Sequence, residues 1–69
     1  MSLHARILAA HAAGDAGTLA RLYEKAAREQ TGEDARAFFL TQAYVLALEA
    51  GLPSAPDLRR ALVALGRER

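Results

Sequence analysis

Residues 31–51 read TGEDARAFFLTQAYVLALEAG, and the fold turns on this stretch. It holds no proline, is bounded by Thr31-Gly32 and by Gly51, and places apolar residues at helical spacing throughout. The spacing predicts one helix over about 33–50, opened by a Thr31-to-Asp34 capping-box pattern and stopped by Gly51. At 100° per residue, Phe39, Leu40, Ala43, Tyr44, Leu46, Ala47 and Leu48 cover well over half the circumference. A helix so widely apolar must be covered on two sides, and Leu40 and Leu48 are both expected in the core. A narrow strip with Asp34, Thr41, Gln42 and Glu49 is left for water. Phe38 and Val45 fall inside that strip, seven residues apart and on one side, where nothing in a solvated face calls for them.

Working outward, Gly14-Asp15-Ala16-Gly17 and the segment from Gly51 to Pro56 punctuate the rest. A first helix is predicted over about 3–13, with Leu3, Ile7, Leu8 and Ala10 on a broad face shared with His4 and His11. A second follows over about 16–30, capped by Asp15, with Leu19, Leu22, Tyr23, Ala26 and Gln30 inward and Arg21, Glu24, Lys25 and Arg28 outward. Two prolines three residues apart, Pro53 and Pro56, forbid regular helix between Leu52 and Ala55. The last helix is then predicted over about 56–65, with Ser54 or Ala55 as cap, and it buries Leu58, Ala61, Leu62 and Leu65. Arg67, Glu68 and Arg69 are expected to fray.

Composition agrees. Seventeen alanines and eleven leucines, against six residues among Val, Ile and Thr, favour helix nearly everywhere. The 69 residues make one all-α domain, 1–69, of about four short helices in antiparallel hairpins, either repeat-like or a small up-and-down bundle. Without cysteine there is no disulfide to stiffen so short a chain. Nine basic and eight acidic residues, interspersed, leave a net charge of +1, too balanced to draw polyanions over distance. No apolar run approaches the length of a membrane span, and the apolar start is broken at His11 before a signal region develops, so a cytoplasmic chain is expected. One lysine against eight arginines, together with the alanine content, points to GC-rich bacterial coding.

Ile7, Ala10, Gly14-Asp15, Leu19, Leu22-Tyr23 and Ala26-Ala27, taken end to end, resemble a tetratricopeptide-type repeat: helix, Gly-Asp turn, helix with an aromatic before a small residue. Gly51 follows Gly14 by 37 residues, close to the repeat length, with Tyr44 and Ala47 at second-unit packing positions. Leu3 stands where the first helix usually carries an aromatic, and Thr31-Gly32 where a closing proline is usual. The resemblance implies a scaffold that presents a surface and carries no chemistry of its own.

No constellation points to catalysis, a cofactor or a metal. His4 and His11 share a face but lie two turns, roughly 10 Å, apart, too far to hold one ion between them. Ser2, Ser54, Thr18 and Thr31 fall at helix starts or turns, where capping accounts for them, and Glu33 and Asp34 suit a helix N-terminus. Gly14 and Gly17 lack the strand and Lys of a phosphate loop. The expected function is therefore a protein–protein interaction module or small helical adaptor that is not an enzyme. Its partner is expected to be another protein or peptide helix, or a second copy in a homodimer, engaged through His4, His11, Phe38, Gln42, Val45 and Glu49. The alternative is a small nucleic-acid-associated regulator using Arg59, Arg60, Arg67 and Arg69 at the C-terminal end, although aromatic interleaving and a recognition helix are both missing.

Overall fold

The computed structural model describes residues 2–67. The regular elements among them are four helices: α1 (Leu3–Ala13), α2 (Ala16–Arg28), α3 (Glu33–Ala50) and α4 (Ala55–Ala64). Each start and stop has a local cause. The Ser2 hydroxyl accepts from the Ala5 amide at 3.1 Å and caps α1. Asp15 caps α2 doubly, accepting from the Thr18 amide at 3.1 Å and from the Thr18 hydroxyl at 2.6 Å. These bonds hold its carboxyl below the ordinary aspartate value, the hydroxyl bond first and the amide bond second.

Gly14 and Gly51 end α1 and α3 in the same way. Both are left-handed, at φ 66° and 65°, a conformation that only glycine adopts at little cost. In each turn the following amide reaches back to a carbonyl inside the helix: Asp15 to Ala10 at 3.0 Å, Leu52 to Ala47 at 2.9 Å. After Gly14 one residue suffices before α2 begins, whereas after Gly51 the chain needs Leu52 to Ser54 before Pro56 enters the first turn of α4.

The core is built on alanine. The most extensive helix contact is α2 against α3. Ala20 and Ala27 of α2 cluster there with Ala43 and Ala47 of α3, and the last two have no exposed surface at all. Methyl groups at a crossing let two backbones come close, so α3 is fixed by its seam rather than by large interlocking side chains. Leu40, Ala55, Leu58 and Leu62 complete this cluster and seat α4 on α3. A smaller cluster of Ala10, Leu19 and Leu22, flanked by Leu3 and Ile7, holds α1 to α2. Contacts run only between consecutive helices: no Cα of α1 comes within 8 Å of α3 or α4, nor any of α2 within that distance of α4. The outcome is a slab, 32 × 27 × 12 Å between Cα extremes.

Several sequence expectations need correction. Thr31 is not the cap of α3: Gly32 holds that place without any side-chain bond, because the chain arrives extended at Gly32 and only Glu33 and Asp34 offer negative charge to the helix start. The second helix stops at Arg28, short of Gln30, whose side-chain amide instead donates to the Ala26 carbonyl at 3.1 Å. The last runs from Ala55 to Ala64, one residue earlier at each end than expected. Leu48 is not a core residue but 57% exposed, and Leu8 is 56% exposed, since α4 covers only part of α3's second flank and α1 has a single neighbour. Arg67 is tied down by its amide bond to the Leu62 carbonyl at 2.9 Å and by an ion pair with Asp34. Glu68 and Arg69 lie outside the described residues.

Two outcomes follow for chemical and thermal denaturation. Leu40→Ala should cost about 2–5 kcal/mol in a urea titration, and Leu48→Ala less than about 1 kcal/mol, because only the first opens a cavity. Asp15, with its carboxyl lowered from 3.8, contributes stability that is fully present above that value and disappears as pH falls through its lower folded value. The melting temperature of Asp15→Asn measured from pH 6 to pH 2 should therefore fall less steeply at the acid end than that of the parent chain.

Candidate functional site

Because α1 meets α2 alone, a groove opens between α1 and α3 with α2 as its floor. It encloses about 430 Å³, within the several-hundred Å³ typical of ligand pockets. Leu3, His4, Ile7, Leu8 and His11 form the α1 wall, Tyr23, Ala26 and Gln30 the floor, and Phe38 with Phe39 the far wall. Four rings cross it in a row. His11 meets Tyr23 edge-on with centroids 6.2 Å apart, Tyr23 stacks on Phe39 at 6.1 Å, and Phe39 takes Phe38 edge-on at 5.3 Å. His11 Nε2 and Tyr23 Oη lie 3.1 Å apart in a hydrogen bond, which ties the α1 wall to the floor. Phe38 ends the row and remains 58% exposed.

This arrangement brings together three of the six residues singled out in the sequence, His4, His11 and Phe38. The other three run along the open face of α3. Val45 and Glu49 are exposed there, and half-buried Gln42 borders a shallow recess with Asp34, Thr41 and Arg67. The Thr41 hydroxyl is turned inward and donates to the Ala37 carbonyl at 2.8 Å. Tyr23 and Phe39 escaped the sequence reading as site residues because an aromatic at helical spacing looks the same whether it fills a core or floors a groove.

A second trough, of about 560 Å³, lies between α3 and α4, with Tyr44 and Leu48 on one side and Pro56, Val63, Arg59 and Arg60 on the other. Leu48 and Val63, the latter 49% exposed, give its lining an apolar part. Arg60 pairs with Asp57, three residues earlier on the same helix, and Arg67 with Asp34. Arg60 and Arg67 are thus each matched by a carboxylate, which thins the positive field that phosphates would need.

Among the described residues, no group of three or more His, Asp or Glu side chains could hold a metal ion. No helix there is long and apolar enough to cross a membrane. Compared with family models, with curated proteins and with solved structures, the chain finds no match in any of the three.

Tyr23→Phe should keep the ring row and lose only the bond to His11. Its cost in a urea titration should be no more than about 1.5 kcal/mol.

Proposed function

We propose that the chain is a protein-interaction module, a non-catalytic helical scaffold whose groove between α1 and α3 receives the apolar face of a helix or peptide from another protein. The observation that carries this reading is the open end of the ring row. Phe38 and Leu8 stand on opposite walls with more than half of their surface in water, above a floor of Tyr23 and Ala26. Large apolar side chains facing each other across a cleft gain most when a third apolar surface slides between them. His4, His11, Tyr23 and Gln30 supply hydrogen-bonding groups among the apolar ones, as a groove that sets register needs. The repeat-like reading of the hairpins supports the same conclusion, since stacked helical pairs serve as surfaces for partners.

The test is a comparison of co-purified proteins. The tagged parent chain should retain a partner that Phe38→Asp and Leu8→Asp lose and that Val63→Asp, in the other trough, keeps. With that partner's binding segment in hand, Phe38→Ala should weaken titrated binding at least about tenfold, as an aromatic anchor does. Equal retention by all variants would refute the assignment to this groove.

A further inference from the structure

We infer that the groove between α1 and α3 is a pH-gated site, which holds an uncharged apolar guest at mildly basic pH and releases it as His4 and His11 take up protons. The inference rests on the reading of that groove given above and concerns how the same site is regulated.

Of the described residues that line the groove, none is an acid, a lysine or an arginine. What α1 brings to it that changes charge between about pH 5 and pH 8 is a pair of imidazoles, His4 and His11, both exposed. Facing them, α2 presents the Tyr23 hydroxyl and the Gln30 amide, and α3 presents the rings of Phe38 and Phe39. Arg36 of α3 comes up to the lining at Gln30, whose carbonyl accepts from its guanidinium at 3.1 Å, and the charge it brings is positive. An imidazolium on the α1 wall therefore relies on water, with no carboxylate in the lining to balance it.

A guest that lays apolar surface over that wall strips the water away. For the neutral rings the loss is modest, and His11 keeps its hydrogen bond with the Tyr23 hydroxyl at 3.1 Å. For an imidazolium it is severe, because a charge covered without a counter-charge is among the costliest groups to desolvate. Binding thus selects the uncharged forms, and by reciprocity the guest drives protons off and protons drive the guest off. The sign is fixed: affinity is fully present above the histidine range and falls as pH descends through it. The bond from His11 to Tyr23 is compatible with both charge states, since a neutral Nε2 accepts from or donates to the hydroxyl according to its tautomer and an imidazolium donates to it. Acid therefore changes the charge of the α1 wall without detaching it. The Asp15 cap is outside this window, its carboxyl being lowered from 3.8, so the start of α2 stays intact down to pH 5.

The probe is N-phenyl-1-naphthylamine, a neutral apolar dye whose fluorescence rises on leaving water and whose charge is constant from pH 5 to pH 8. The part of its titration that Phe38→Asp abolishes and Val63→Asp keeps reports the groove. That part should be present at pH 8 and at least about fivefold weaker in affinity at pH 5. In a chain carrying both His4→Gln and His11→Gln the ratio of the two affinities should fall close to one, whatever the affinity at pH 8, with each single variant in between. Tyr23→Phe should keep the ratio of the parent chain. Circular dichroism at both pH values checks that every chain is folded, and the single variants decide the matter where the double one does not fold. Absence of a groove component at pH 8 would remove the groove reading and this inference with it. A groove component equally strong at both pH values, one that strengthens in acid, or a ratio that survives removal of both imidazoles would overturn the inference alone.

Discussion

The structure depends on the alanine seam between α2 and α3. With Ala43 and Ala47 stripped of all exposed surface and Ala20 and Ala27 facing into the same cluster, the two helix backbones are held close over their common length. Everything else is placed relative to that pair. α4 is seated on α3 through Leu58 and Leu62, and α1 on α2 through Ala10, Leu19 and Leu22. A seam of methyl groups fixes distance and register well, but it hides little apolar area per residue, and among the described residues only Leu62 is a large side chain fully withdrawn from water. Part of the bulky apolar set, Leu8, Phe38, Val45, Leu48 and Val63, is correspondingly displaced to the surface.

That displacement is what links the packing to function. In a closed bundle α1 and α4 would meet and cover each other's outer flanks, whereas here only helices consecutive in sequence bring their Cα atoms within 8 Å of one another. The gaps left on the two sides of α3 become the groove and the trough. The ring row from His11 to Phe38 lines the first, and the pair of arginines beside Leu48 and Val63 marks the second. An apolar cleft lined by His4, His11, Tyr23 and Gln30 and an apolar cleft lined by Arg59 and Arg60 suit different occupants, so the two sides of the central helix need not compete for one partner.

The four helices and the wet strip of α3 were legible from periodicity and punctuation, because Gly14, Gly51 and Pro56 act locally and need no tertiary context. The exposure of Phe38 and Val45 was legible for the same reason: both fall on the polar side of their helix whatever lies opposite. Leu48 was misjudged because periodicity shows which residues share a face and not how far a neighbour extends over that face. α4 is ten residues long against eighteen for α3, and on the side it turns to the trough it carries Arg59, Arg60 and Val63 rather than a packing stripe. The meeting of His11 with Tyr23 was out of reach as well, since it depends on the angle between α1 and α2. The weakness of Thr31 as a cap belongs to the same class, being decided by where the chain enters α3 rather than by the spacing to Asp34.

One asymmetry in the slab bears on how its clefts behave in time. α1 is attached along a single flank, and Ala10 is its only fully buried residue. Peeling it away from α2 disrupts the small cluster around Leu19 and Leu22 and the bond from His11 to Tyr23, but leaves the alanine seam untouched. Local opening of that kind draws on a fraction of the global stability. The groove therefore has one stiff bank, α3, and one yielding bank, α1, so it can widen to admit guests of unequal girth without loosening the scaffold behind it.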